Sequence, residues 1–176
     1  MAEDFGLVYD EYVTRIYRFI SLKVPSQEIA EDLCSEVFVR ALDEFKRTEV
    51  ENAQAFLYQI ARHIIADHYR QNAHYEVVSL EETSEIIDTV DSVFDQVALA
   101  SEMDQVKQAL TVIRDEYQDL IIWRYLDELS IPEIAQITEK SEGNVRVGIH
   151  RALGAIKEKL LESPINSHAD PVFLKK

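Results

Sequence analysis

Apolar residues recur at three- and four-residue steps along most of this chain, the period of an α-helix with one buried stripe. Phe5, Tyr9, Tyr12, Val13, Ile16 and Ile20 form the first stripe, in a helix expected from Phe5 to Lys23 and stopped by Pro25. Ser26 is placed to cap a second helix whose buried row is Ile29, Leu33, Val37, Ala41 and Phe45. Asn52 precedes a third stripe through Phe56, Ile60, Ala61, Ile64 and His68. Three such helices joined by short turns share one core, so residues 1–75 are expected to form a helical lobe.

After Tyr75 the regularity lapses. Residues 76–92 are rich in Glu and Asp and read as a linker. Fully extended, about sixteen residues span roughly 50 Å. Val93, Val97, Ala100, Met103, Val106 and Leu110 restart the helical period, and Leu120, Ile121, Trp123 and Leu126 add core to a second lobe over 93–162. A tail, 163–176, follows. The expected fold class is all-α, with two small helical domains joined by an acidic linker.

Inside the second lobe, Tyr125 to Lys159 has the layout of a helix, a tight turn and a longer helix. Ser130-Ile131-Pro132-Glu133 is a capping box, with Pro132 early in the helix that starts at Ile131. Ser141 is placed to cap the longer helix, which packs through Val145, Ile149, Ala152 and Ile156. Glu142, Asn144, Arg146 and His150 then face outward near its start, where a helix-turn-helix reader inserts its first turns into the major groove. Asn, Arg and Glu discriminate base edges there. A helical hairpin with a merely solvated polar face is the alternative.

Composition agrees with helices: 4 Gly, 4 Pro and 47% hydrophobic residues in 176 suffice for real cores without convincing strands. Cys34 is the single cysteine, so no internal disulfide forms, and no apolar run approaches membrane-spanning length. The amino-terminal residues are acidic where a secretory signal is basic, which makes a reducing bacterial cytoplasm the expected compartment.

Charge changes the picture. The net charge of −15 argues against avid nucleic-acid binding, because such binding rests on cations that neutralise phosphates. Residues 76–106 carry nine acids and no base, so more than half of the excess sits there. Neither lobe is basic, and DNA affinity in isolation is expected to be weak and salt-sensitive. Glu28, Asp32 and Glu36 share one helix face, a clustering that a cationic partner relieves and that also occurs on ordinary solvated faces.

Two runs carry a family resemblance. Ala30-Glu-Asp-Leu-Cys-Ser-Glu-Val-Phe-Val-Arg40 resembles region two of bacterial sigma factors, and Glu133 through Ala152, with Ser-Glu-Gly-x-Val-Arg and His-Arg-Ala, resembles region four, particularly of the extracytoplasmic-function group. The resemblance implies docking on core RNA polymerase through Asp32, Leu33, Glu36 and Arg40. It implies minus-ten element reading and melting by Tyr58, Arg62, His63, Asp67, His68, Tyr69 and Arg70, helped by the loop around Arg47 to Asn52. Aromatic rings interleaved with guanidinium groups suit unpaired bases and their phosphates, while a core helix with snorkelling polar ends is the plainer account. It implies minus-thirty-five contacts from Ser141, Glu142, Asn144, Arg146, His150 and Arg151. The linker, electrostatically like nucleic acid, is implied to thread the polymerase channel, with a flexible solubilising tether as the alternative.

The chain departs from the family pattern in places. His63 replaces an Asn, Gln71 replaces a basic residue, Glu139 stands where many members have a turn Gly, and Gly148-Ile149 with Leu153-Gly154-Ala155 occupy positions that are often basic. Expected partners are core RNA polymerase, promoter DNA and an anti-sigma factor, with no membrane insertion, small-molecule substrate or cofactor. His63, Asp67, His68 and His74 lack the ligand pattern of a metal site, and no catalytic constellation marks an enzyme. The rival readings are an acidic sigma mimic that sequesters an anti-sigma protein, and a helix-turn-helix repressor.

Overall fold

The computed structural model describes residues 5–75 and 104–162; the expected linker, the helical restart over 93–103 and the tail lie outside the described residues. Helices α1 (Phe5–Ser21), α2 (Gln27–Phe45) and α3 (Ala53–Tyr75) form the first lobe. The second contains α4 (described over 104–111), α5 (Asp115–Ile121), a π-helical turn (Ile122–Leu126), α6 (Ile131–Thr138) and α7 (Glu142–Glu162).

Local chemistry sets the helix starts. Ser26 Oγ accepts from the Ile29 N–H at 3.3 Å, and Asn52 Oδ1 from the Ala55 N–H at 2.9 Å, each satisfying a donor that the first turn leaves open. The capping box of α6 is complete: Glu133 N–H donates to Ser130 Oγ at 3.4 Å, and Ser130 N–H donates to the Glu133 carboxylate at 2.8 Å. Those bonds from Ser130, its hydroxyl first, hold the Glu133 carboxyl below its ordinary range. α1 ends at Ser21, short of Lys23, because the chain turns there with Lys23 and Val24 N–H groups both donating to Ile20 O.

The first-lobe core runs through Ile16, Phe19, Ile20, Val37, Ala41, Leu57, Ala61 and Ile64. Two stripes differ from the sequence expectation. Tyr9 is 44% exposed, although its ring meets Phe38 edge-on. On α3 the buried row is Leu57, Tyr58, Ala61, Ile64 and Ile65, while Phe56, Ile60 and His68 are half-buried. The reason is that α3 is covered twice, by α1 and α2 on one side and by α6 on another.

In the second lobe, Val145, Ile149 and Ala152 of α7 are buried as expected, with Ile134, Ile137 and Leu120. A Cβ on Gly148 would lie 2.7 Å from Leu120 Cδ1, so glycine there lets α5 and α7 approach. Glu139 ends α6 in the left-handed region, φ 54° and ψ 34°. A Cβ costs about 1–2 kcal/mol in that conformation. Glu139→Gly is therefore expected to stabilise the protein by about 1 kcal/mol, read as a rise in the chemical denaturation midpoint; an unchanged or lower midpoint would show that the side-chain contact from Gln59 Nε2 to Glu139 Oε1 outweighs the strain.

The lobes pack against each other, a contact absent from the sequence expectations above. Phe19 of α1, Tyr58 of α3 and Trp123 of the π-helical turn form one aromatic cluster across the boundary. Phe19 and Trp123 stack at 5.6 Å, and Tyr58 meets each ring edge-on at 5.5 and 5.7 Å. Lys107 of α4 donates to the carbonyls of Ser21 and Val24, satisfying acceptors at the end of α1.

Candidate nucleic-acid interface

α2 presents its acidic face to solvent. Glu28 and Asp32 are exposed; Glu36, half-buried, pairs with exposed Arg40 one turn on. Leu33 is buried in the core, at 8% exposure, because it lies on the stripe facing α1 and α3. Leu33 thus sets the orientation of the helix, and Asp32, Glu36 and Arg40 lie on its surface side. Cys34 beside it is buried, which pushes its thiol up to about 11 and leaves it unreactive.

The expected minus-ten residues on α3 separate into two groups. Tyr58 and Arg62 face the second lobe. Tyr58 is fully buried and donates its hydroxyl to Asp127 Oδ2 at 2.7 Å, so its ring is unavailable for base stacking in this arrangement. Burial, with Asp127 adding to it, pushes its phenol well above the ordinary value. Arg62 Nε donates to Asp119 Oδ2 at 2.9 Å, and its guanidinium lies 5.8 Å from the Trp123 ring centre. His63, Tyr69 and Arg70 are exposed, with Asp67 and His68 half-buried beside them. Arg70 pairs with Asp67, His68 contacts Asn72 at 3.0 Å, and the Tyr69 hydroxyl donates to Lys23 O. Among the described residues no group of three or more His, Cys, Asp and Glu side chains is arranged to hold a metal.

α7 carries the third set. Ser141 Oγ accepts from the Asn144 N–H at 3.3 Å, capping the helix, and Arg146 pairs with Glu142 at 2.8 Å across one turn. Glu142, Asn144, Arg146, His150 and Arg151 are all exposed, while Val145, Ile149 and Ala152 anchor the opposite side. Packing thus fixes the helix rotation and leaves the Asn144 amide and the guanidiniums of Arg146 and Arg151 on the outward side, groups whose chemistry suits base edges or phosphates. Asn144 and Arg151 also line a cleft of roughly 320 Å³ whose other walls include Lys140, Trp123 and Arg62.

Sequence reasoning missed the residues joining the lobes. Asp127 accepts from Arg18 Nε at 3.0 Å as well as from Tyr58, and Asp119 pairs with Lys23 and Arg62. Both carboxylates are buried. Burial raises the Asp119 carboxyl, against the lowering pull of Lys23 and Arg62. A signal existed: Asp119, Trp123 and Asp127 lie at four-residue steps, acids flanking an aromatic residue on one apolar stripe.

Comparison with known proteins gives this geometry its family. The Sigma-70 region 2 model matches residues 8–75, and the Sigma-70, region 4 model matches residues 103–156. The chain is 30% identical over 168 residues to the ECF RNA polymerase sigma factor BldN of Streptomyces coelicolor, covering 90% of this chain and 61% of that protein. It is 30% identical to the ECF RNA polymerase sigma factor SigM of Bacillus subtilis, over 85% of this chain and 91% of that one. In fold it is similar to the sigma factor RpoE solved in complex with the anti-sigma factor NepR from Bartonella quintana, with a TM-score of 0.66 at 20% identity, covering 92% and 98% of the two chains. No helix among the described residues is long and apolar enough to cross a membrane. With both regions matched in order over most of its length, the chain belongs to the sigma-70 family of RNA polymerase sigma factors, in the extracytoplasmic-function group.

Proposed function

We propose that the chain binds core RNA polymerase through Asp32, Glu36 and Arg40 of α2, with Leu33 holding the helix in place. α3 reads and helps to open the minus-ten element, and the first turns of α7 read the minus-thirty-five element. The observation that carries this reading is the pairing of an exposed acidic helix in region two with a capped, packed recognition helix in region four, whose Glu142, Asn144, Arg146, His150 and Arg151 are exposed. The low cation content fits the same reading, since the polymerase supplies the affinity that the isolated chain lacks. Transcription in a bacterium puts the chain in the cytoplasm. The domain limits at 75, 92 and 162 belong to this reading, as does threading of the acidic linker through the polymerase channel. An anti-sigma factor is the proposed regulating partner, as the Bartonella protein was solved bound to one.

Transcription from a promoter library by core polymerase with and without the chain tests it. Promoter-specific transcripts that depend on the chain are expected. Polymerase binding without transcripts would favour the acidic mimic, and DNA binding without polymerase binding would favour a repressor.

A further inference from the structure

The cleft beside the recognition helix has no part in the reading above. Its volume of roughly 320 Å³ lies at the small end of the range for small-molecule sites, about 300–1,000 Å³. All of its walls except Arg62 come from the second lobe, from α5, the π-helical turn and the segment Thr138 to Arg151. Tyr117, Leu120, Trp123 and Val145 supply aromatic and apolar surface, while Lys140, Asn144 and Arg151 supply two cations and an amide.

The charges around it are unevenly matched. Both lining carboxylates already have cations: Asp119 pairs with Lys23 and Arg62, and Glu116 with Arg114 at 3.4 Å. Lys140 and Arg151 have no acidic partner within ion-pair distance among the described residues. In a chain with 33 acids and 18 lysines and arginines, two unmatched cations beside one cleft favour an anion from outside. Trp123 leaves a further donor unspent, since it is fully buried and its indole N–H has no acceptor among the described residues. A buried donor without a partner is unfavourable until an acceptor is brought to it.

We propose that this cleft binds a small organic phosphate of the nucleoside monophosphate class, with its phosphate on Lys140 and Arg151 and its ring against Tyr117 and the apolar wall. Arginine offers phosphate a planar fork of donors and lysine a point charge, and two cations match the roughly two negative charges of a phosphate monoester at neutral pH. The Asn144 amide both donates and accepts, which suits the heteroatom edge of a base. The consequence rests on the promoter-reading assignment above. Asn144 and Arg151 belong to the set assigned to the minus-thirty-five element, so a guest that engages them competes with that DNA for the same side chains.

Calorimetric titration of the full chain with adenosine monophosphate and with guanosine monophosphate is expected to show saturable binding, and Trp123, the only tryptophan, reports occupancy through its emission. Lys140→Gln and Arg151→Gln are each expected to weaken binding by about tenfold or more. Both side chains are exposed, so the fold survives their loss. Lys157→Gln, at an exposed cation of α7 outside the cleft, is expected to leave binding unchanged. Inorganic phosphate carries the charge without the ring and benzoate the ring without the phosphate, and both are expected to bind more weakly. The proposal is overturned if neither monophosphate binds saturably, if both cleft variants bind as the parent does, or if inorganic phosphate or benzoate binds equally well. In transcription by core polymerase with the chain, the monophosphate is expected to lower promoter-specific transcripts, and Lys140→Gln, which lies outside the set assigned to DNA, to relieve that inhibition. Inhibition that persists in Lys140→Gln overturns the competition. Absence of transcripts without any ligand would overturn the promoter assignment instead, while the titrations still decide the site.

Discussion

Replacing Trp123 with alanine is expected to lower the unfolding free energy by about 3–5 kcal/mol and to split a single melting transition into two. Trp123 is the only tryptophan, is fully buried, and touches aromatic rings from two helices of the other lobe. Truncation removes its own burial and leaves a cavity against Phe19 and Tyr58 that the two helices cannot both close over. It also removes two aromatic contacts, each worth about 0.5–1.5 kcal/mol beyond area. Circular dichroism at a helix-sensitive wavelength, followed against temperature and denaturant, measures both effects. Trp123→Phe keeps an aromatic face toward Phe19 and is expected to lose less than half as much. A loss below about 1 kcal/mol for the alanine variant would show that the lobes do not share a core in solution.

Charge reversal on α2, Asp32→Arg with Glu36→Arg, is expected to abolish capture of core RNA polymerase while leaving the helical content unchanged. The folded state has little stake in these side chains. Asp32 is exposed, and Glu36 makes only a surface pair with Arg40, worth about 0.3–0.5 kcal/mol for a pair one helical turn apart. An interface that expects carboxylates meets two guanidiniums instead, and like-charge juxtaposition there costs several kcal/mol, with each 1.4 kcal/mol a factor of ten in affinity. Binding thus falls by orders of magnitude for a stability change near zero. A pull-down or fluorescence anisotropy titration with core enzyme decides it: retained binding would move the docking surface elsewhere on the first lobe.

Much of the fold was legible in the residue order because local chemistry wrote it. Ser26, Ser130 and Ser141 act as the caps their positions suggested, Asn52 caps the helix it precedes, and Val145, Ile149 and Ala152 all face inward. Glu139 was legible as a residue in an awkward place, and its positive φ is the cost of a turn that the chain needs. The exposed set on α7 followed from the same periodicity, since whatever is not on the packed stripe faces out. Tyr58 and Leu33 were harder. Periodicity placed Leu33 on a buried row while the family resemblance put it in a docking face; the structure buries it. Tyr58 looked like an exposed aromatic beside a guanidinium, and only its second cover, from the other lobe, takes it out of solvent.

The three helices of the first lobe, the starts of α2, α6 and α7, the outward face of α7 and the family resemblance were legible in the sequence alone, because caps, turn residues and three-and-four periodicity act over a few residues and need no distant partner. Which lobe surface meets which was decided only in the tertiary structure. The pairs that settle it join residues 57 to 109 positions apart, Arg62 with Asp119 and Arg18 with Asp127, and no local rule links them. An isolated Asp in an apolar stretch is ambiguous until a cation is brought to it from another helix, because burial opposes its charge and only a partner makes that charge tolerable.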